Sequence, residues 1–301
     1  MANLYEYKDS NIRKTYFLFA VFLTGIIGLG WIFSTVLQTQ WILPFAVVFS
    51  VVSAIISYWY SDKIALGLSH SIPIKKHDNP QLYNIIENLC ITAGLPTPAI
   101  YITPEMQINA FATGRDPEHA AISVTQGALS KLNKQELEGV LAHELSHIGN
   151  RDILISTVAV VLAGMISLMA DIFMRSTFFF GSFRRRDDRS DNSGVMLLIG
   201  MAISILAPIG AMLIQLAISR KRESLADASG VLLTRYPDGL INALIKIRSD
   251  ASPMRAANSA TAHLWIADPY KNPEQTPWYH KIFMTHPPIE ERIAALKQIK
   301  V

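Results

Sequence analysis

Three residues near the middle of the chain have the types and spacing of a metal-dependent hydrolytic site. His143, Glu144 and His147 form the pattern H-E-x-x-H. Residues four apart on a helix share one face, with about 6 Å between Cβ atoms, so both imidazoles can reach one ion at a Zn–N distance of about 2.0–2.1 Å. Glu144 can take a proton from a water whose pKa the zinc lowers toward about 7. The alternative is an ordinary helix with two surface histidines and a glutamate.

A catalytic zinc needs a third protein ligand and an open position for water. A third histidine at short spacing is absent, because Ile153 stands ten residues after His143. The segment SRKRESLADASG offers Glu223 and Asp227, four residues apart on a predicted helix. We expect Glu223 to bind the zinc and Asp227 to accept a hydrogen bond from the free ring nitrogen of a ligand histidine. An E-x-x-x-D pair is otherwise typical of a solvated helix face.

The helix that carries the motif has a defined start. Asn133, followed three residues later by Glu136, matches a capping box. Gly139, one turn before His143, leaves room for a neighbouring segment. Apolar residues at helical spacing predict the buried side of this helix: Leu137, Val140, Leu141, Leu145 and Ile148.

The segment before this helix has the pattern of a small mixed domain. A helical pattern over residues 80–95 ends in Gly-Leu-Pro, a helix stop. Three short β-prone runs follow, separated by Pro, Gly and charged residues, and predict a small sheet. They are residues 98–103, 108–113 and 120–125.

Composition places the chain among membrane proteins. Half of the residues are hydrophobic and 17% are charged, against about 25% charged in a typical soluble domain. Residues 15–37 and 41–60 carry no charge, and each is long enough to cross a bilayer. A cleaved signal peptide is the rival interpretation of the first run, but the run is longer than the usual signal core of about 7–15 residues and a second span follows at once. Lysine and arginine on both outer flanks place the N-terminus and everything after residue 60 in the cytoplasm.

A second apolar pair, residues 153–174 and 195–219, flanks an Arg-rich loop over 175–194. If both runs span, this loop lies outside, against the positive-inside rule, and Asp171 also weakens the third run. We expect both to span. The rival is a pair of helices that stay on the cytoplasmic side or only dip into the bilayer.

The remaining totals exclude several classes of protein. A formal net charge of +3 is too weak to indicate nucleic-acid binding. Cys90 is the single cysteine, so an internal disulfide and a Cys-rich zinc module are both excluded.

With these residues in hand, the chain resembles the HtpX group of membrane-bound zinc metalloproteases, within the gluzincin class. The motifs that carry the resemblance occur in the family's order: the N-terminal hairpin, INAFATG, GVLAHELSHIGN, the second apolar pair, ESLADASG and THPPIEERI. The resemblance implies an α+β membrane protein that is mostly α-helical. It would combine four apolar helices with a zincin-like metalloprotease domain that contains a small β-sheet.

The predicted organisation has four parts. Residues 1–60 form a transmembrane hairpin, and residues 61–152 form the first part of a cytoplasmic metalloprotease domain. Residues 153–219 form the second apolar hairpin, and residues 220–301 complete the metalloprotease domain.

The resemblance also implies roles for individual residues. One zinc ion per chain would be held by His143, His147 and Glu223, with Glu144 as the general base. The enzyme would lie in a bacterial inner membrane with its active site on the cytoplasmic side. Its substrates would be damaged, unfolded or misassembled membrane proteins, which it would degrade under stress.

Two further segments gain roles from the resemblance. Asn109, Ala110, Phe111 and Ala112 look like an edge strand that pairs with an extended substrate backbone, although Asn109 could equally be a turn residue. His286, with Arg292 nearby, resembles a position that stabilises the transition-state oxyanion. The alternative for His286, before two prolines, is a structural turn.

Two other functions compete with this one. A prenyl-protein protease shares the motif set, but such relatives have more spans than this chain allows. A zinc-binding membrane scaffold or holdase would keep the metal without proteolysis. The sequence does not determine the substrates, the oligomeric state, the regulators or whether the second apolar pair spans.

Overall fold

The computed structural model describes residues 4–36, 38–183, 210, 219–255, 261–269 and 288–299. Within them, three long helices form a bundle beside a smaller domain of helices and one four-stranded sheet. The three predicted metal ligands lie where these two parts join.

The first two helices form an antiparallel hairpin. Helix α1 covers Leu4–Val36 and helix α2 covers Ile42–Leu68. Both contain segments long and apolar enough to cross a membrane, Asp9–Thr35 and Ile42–Leu68, in agreement with the predicted spans. Helix α2 continues eight residues beyond the predicted end of the hairpin, and its last turns pack on the sheet domain.

Small residues bring the hairpin helices together. A Cβ on Gly30 would lie 2.3 Å from the Cβ of Ala46, so the two backbones are in close contact there. Interfaces of small residues are typical of membrane helices, because close backbone approach supplies van der Waals contact that lipid cannot. The buried face of α2 consists mainly of such residues: Ala46, Ser50, Ser53, Ser57, Ser61 and Ala65.

Helix α6, Asp152–Phe183, completes the bundle. It continues through residues 175–183, which the sequence analysis assigned to a loop. Its inner side packs against α1 in one apolar core, formed by Leu18, Phe22 and Ile26 from α1 and Ile155, Val158 and Leu162 from α6.

The prediction of four apolar helices is not confirmed. In the described part of the chain, two helices pass as membrane spans by length and composition. A third is added if the bent pair Lys134–Gly149 and Asp152–Ile166 counts as one span. The run over residues 195–219 lies outside the described residues, except for Gly210 and Ser219.

The sheet has the strand order β1-β2-β4-β3. Its strands are β1, Ile72–Pro73, β2, Ala99–Thr103, β3, Ala110–Gly114, and β4, Ala120–Thr125. Strands β2 and β4 are parallel, while β3 runs antiparallel to β4 and forms one edge. The three predicted β-prone runs are therefore strands, and β1 is an additional one that its two-residue length hides from a periodicity search.

Helices surround the sheet and meet in one core. They are α3, Pro80–Ala93, α4, Gln126–Lys131, α5, Lys134–Gly149, α7, Arg220–Thr234, α8, Pro237–Ser249, and α9, Ile289–Leu296. The predicted capping box is present, since the Asn133 side chain accepts from the Glu136 N–H and the Glu136 carboxylate accepts from the Asn133 N–H.

Two glycines set how closely helices cross α5. A Cβ on Gly139 would lie 2.6 Å from the backbone nitrogen of Leu240 in α8, which confirms the expected close approach. A Cβ on Gly230 in α7 would lie 3.0 Å from the backbone nitrogen of His143. Helix α7 therefore crosses α5 at the first histidine of the motif.

Candidate metal centre

Helices α5 and α7 bring the three predicted ligands together. The Nε2 atoms of His143 and His147 are 3.2 Å apart. Glu223 Oε2 lies 3.6 Å from His143 Nε2, and Glu223 Oε1 lies 3.5 Å from His147 Nε2. Their possible ligand atoms all lie within 4.8 Å of one another, so these three side chains could hold a metal ion.

These separations fit a single zinc ion. Ligand atoms about 2.05 Å from a tetrahedral centre are about 3.3 Å from one another, close to the observed 3.2–3.6 Å. Two imidazole nitrogens and a carboxylate are also donors that zinc prefers. The residues present therefore fit the metal.

A buried ion pair orients His143. Asp227 Oδ1 lies 2.9 Å from His143 Nδ1, and Arg292 donates to both oxygens of Asp227, from Nη2 at 2.6 Å and from Nε at 2.9 Å. Burial raises the pKa of Asp227, but Arg292 and His143 outweigh it and hold the pKa well below its usual range. Asp227 is therefore a carboxylate at neutral pH and fixes Nε2 of His143 as the atom that faces the cluster.

The carboxylates also favour positive charge at the cluster. Burial and the charge of Arg292 lower the pKa of His143, but hydrogen bonds with Asp227 and Glu223 outweigh them and raise it to about 9. An environment that favours a protonated imidazole also favours a bound cation at the same place.

Asp152 does for His147 what Asp227 does for His143. Its Oδ2 lies 3.0 Å from His147 Nδ1, and the side chain of Arg222 lies 3.6 Å from its Oδ1. Arg151 has a left-handed φ of 59°, which turns the chain between α5 and α6 and directs Asp152 back toward the histidine. The sequence analysis predicted no role for Asp152 at the site. A signal was available, because Asp152 is the first carboxylate after the motif helix.

Glu144 lies beside the cluster in the same cleft. It is 2% exposed, and the walls of the cleft also include Ala112 of β3, Ser156 of α6 and Leu264. A carboxylate here can reach a water at the fourth zinc position, as a general base must.

The edge strand is partly covered by the chain itself. Ile266 donates its backbone N–H to the Ala110 carbonyl at 3.0 Å. The Asn109 side chain accepts from the Ala267 N–H and donates to the Ala267 carbonyl, at 3.1 Å and 2.9 Å. Asn109 thus anchors the segment that contains Ala267, and of the four predicted residues Ala112 is the one that lines the cleft.

Phe111 and Trp265 form the floor beneath this edge. Both side chains are fully buried and meet edge to face, with ring centroids 4.6 Å apart. The Phe111 side chain is therefore core, and any contact of Phe111 with a substrate would not involve its ring.

The two residues predicted to act on the oxyanion are placed differently. His286 lies outside the described residues. Arg292 is 3% exposed, and its guanidinium is held by Asp227, with Nη2 3.4 Å from His143 Nδ1. Arg292 is therefore linked to the predicted ligand His143 through the Asp227 carboxylate, and its oxyanion role stays a prediction.

The fold and the site define a class of protein: a membrane-bound metallopeptidase whose motif helix leads directly into a long apolar helix. Comparison with known proteins agrees. The sequence profile of peptidase family M48 matches residues 76–300, and the chain belongs to this family.

Similar curated proteins carry one description. The chain is 45% identical over 302 residues to a protease HtpX homolog of Caldanaerobacter subterraneus subsp. tengcongensis, covering 99% of this chain and 98% of that protein. It is 45% identical over 281 residues to one of Thermococcus kodakarensis, covering 92% of each. The resemblance to the HtpX group is therefore confirmed, and the protein is a membrane metalloprotease of this type.

A solved structure shares the fold. The crystal structure of S. mikatae Ste24p superposes with a TM-score of 0.51 at 19% identity. The match covers 94% of this chain and 65% of that one. Because the identity is low, this likeness concerns the arrangement of helices and sheet.

Proposed function

We propose that the protein is a zinc-dependent endopeptidase that binds one Zn²⁺ per chain through His143, His147 and Glu223. The observation that supports this most is that the His143 and His147 Nε2 atoms and the Glu223 carboxylate oxygens lie 3.2–3.6 Å from one another, in a cleft that Glu144 also lines. When bound, zinc would polarise the scissile carbonyl and acidify the attacking water.

The chain's own residues supply the rest of the mechanism. The Glu144 carboxylate accepts a proton from the water and donates it to the leaving amine. Asp227 and Asp152 hold the two imidazoles with Nε2 toward the cleft. We propose Arg292 as a positioning residue, through Asp227, and we retain the oxyanion role of His286 as a prediction.

We propose that an extended substrate pairs with the outer edge of β3 at Ala112. Ala110 uses its carbonyl on the side away from β4, because it accepts from Ile266. Backbone groups of alternate residues in a strand point the same way, so Ala112 also directs its N–H and C=O outward. Backbone pairing depends little on side chains and suits a protease with varied substrates.

We propose that the substrates are unfolded or misassembled membrane proteins and that the site faces the cytoplasm of a bacterial inner membrane. The position of the site supports this proposal. Asp152 is the first residue of α6 and also contacts His147, so the predicted metal ligands lie at the end of the helix bundle. A chain segment emerging from the bilayer would reach the cleft directly. A cysteine placed at Ser190, after replacement of Cys90, would show by labelling from either side of the membrane whether the second apolar pair spans.

Two competing functions have less support. The curated relatives that match over almost the full length are HtpX homologs, which does not favour a prenyl-protein protease. The substitution Glu144→Gln distinguishes the proposed protease from a scaffold or holdase without proteolysis.

Glu144→Gln tests the mechanism. We expect it to keep zinc and to slow cleavage of an unfolded membrane protein by about 10²–10⁴-fold, as removal of a general base does. Glu223→Ala should instead lose zinc on dialysis, because a ligand is removed. Glu138→Gln, which changes a partly buried glutamate of the same helix outside the cleft, is the matched control. Undiminished proteolysis by Glu144→Gln would contradict the mechanism.

A further inference from the structure

We propose that the first membrane helix is part of the metal centre, through Asn11, which positions the carboxylate that orients His147. The inference rests on the proposed zinc site and assigns a positioning residue about 140 positions away from it in the sequence. It makes the N-terminal hairpin a component of the site as well as an anchor.

The contacts form a continuous chain. Asn11 Nδ2 donates to Asp152 Oδ1 at 2.7 Å, and Asp152 Oδ2 lies 3.0 Å from His147 Nδ1. Asn11 and Asp152 are each 3% exposed. One oxygen of Asp152 therefore faces the membrane helix and the other faces the ligand, so that a rotation of the carboxylate disturbs both hydrogen bonds together.

Asn11 also holds the turn that places Asp152. Its Nδ2 lies 3.2 Å from the carbonyl oxygen of Asn150, while the following residue, Arg151, has a left-handed φ of 59°. The single amide nitrogen thus bridges both sides of the turn between α5 and α6. An amide has two N–H groups in fixed directions, so it can satisfy both acceptors at once and set their separation.

The neighbouring cation, Arg222, cannot position the Asp152 carboxylate as Asn11 does. The Arg222 Nε lies 3.6 Å from the same Asp152 oxygen, which balances charge but is too long for a hydrogen bond that sets direction. A buried asparagine in a helix is costly unless its amide is paired. The apolar contacts of Leu18 and Phe22 with α6 fix how α1 lies on the bundle, and they hold Asn11 opposite Asp152.

The test measures Zn²⁺ affinity of the full-length protein in detergent by competition with a chelator. Asn11→Ala should weaken zinc binding about 3- to 10-fold, and Asp152→Ala about 10- to 100-fold, the usual range for groups behind a ligand histidine. Because Asn11 acts through Asp152, the double variant should bind zinc no more weakly than Asp152→Ala alone. The Co²⁺ form of Asn11→Ala should also show a shifted visible absorption, since the ligand His147 is reoriented.

Thr15→Ala is the matched control, because Thr15 bonds the Asn11 carbonyl within the same buried helix face and does not contact Asp152. It should keep the native zinc affinity. Asn11→Ser, which keeps a small polar residue at the position, serves if Asn11→Ala does not fold. Native zinc affinity in whichever Asn11 variant folds, or a loss that adds fully to that of Asp152→Ala, would overturn the inference. Failure of the unaltered protein to bind zinc would instead overturn the proposed function.

Discussion

The crossing of α5 and α7 at Gly230 yields the most direct test of how the fold positions the metal ligands. In Gly230→Ala, the new Cβ would lie 3.0 Å from the His143 nitrogen and 3.2 Å from the Ala142 carbonyl carbon. Ordinary contacts begin near 3.4 Å. Helix α7 must therefore move away from α5 by a few tenths of an ångström, because the atoms it meets are backbone and have little freedom to move.

This displacement reaches the third ligand. Gly230 follows Glu223 by seven residues, about two helical turns on one face, so a rigid shift of α7 moves the Glu223 carboxylate away from both histidines. Metal–ligand distances tolerate only about ±0.2 Å. We therefore expect zinc affinity to fall about tenfold, equivalent to about 1.4 kcal/mol.

Two opposing effects determine how Gly230→Ala changes the stability of the zinc-free protein. Overpacking costs about 1–3 kcal/mol, while replacing a helical glycine by alanine returns about 0.5–1 kcal/mol. We expect a net loss of at most about 2.5 kcal/mol, measured by denaturant unfolding without zinc. A loss of zinc affinity in a protein that still folds without zinc is the signature of a displaced ligand.

Chelator competition measures the affinity, and Gly164→Ala is the matched control. A Cβ on Gly164 in helix α6 meets no described atom within 4 Å, so this variant should keep native zinc affinity. If Gly230→Ala also bound zinc with native affinity, the crossing distance would not control the position of Glu223, and the reasoning would be wrong.

Two further predictions concern buried charges. Asp227→Asn should destabilise the zinc-free protein by about 3–5 kcal/mol, because Arg292 keeps its charge in a buried position without the carboxylate that accepts two of its hydrogen bonds. Thermal unfolding should show the loss. Burial raises the pKa of Asp250, but hydrogen bonds from Ile108 N–H, Ser252 and Lys131 outweigh it and lower the pKa to about 2. Since this value is below the unfolded one, the Asp250 carboxylate stabilises the fold above about pH 4 and loses that effect as the pH falls toward 2. Asp250→Asn should therefore cost about 1–2 kcal/mol at pH 7 after allowance for solvent screening and much less at pH 2, in urea unfolding at both pH values. An equal difference at both pH values would contradict this account.

Local sequence patterns predicted many of the helices and strands that position the site. The capping box at Asn133, the strands over residues 98–125 and the first membrane hairpin all depend on interactions between residues close in the chain. Their patterns can be recognised without knowledge of the tertiary structure. The end of α2 at Leu68 was missed because the first charged residues after residue 60 were taken as the end of the helix. Charged residues do not interrupt a helix whose other side packs on protein.

The sequence by itself determined the chemistry that this protein can perform. The types and spacing of His143, Glu144 and His147 predict a zinc-binding helix with a base. We inferred Glu223 and Asp227 from the need for a third ligand and a hydrogen-bond acceptor. Only the tertiary structure decided which groups hold these residues. Arg292 contacts Asp227 from a distant part of the chain, and Asn11 contacts Asp152, which contacts His147 across a sharp turn. These residues meet because the helices pack at a distance that Gly230 and the apolar core permit. No local pattern encodes such contacts, since each depends on the position of two elements at once.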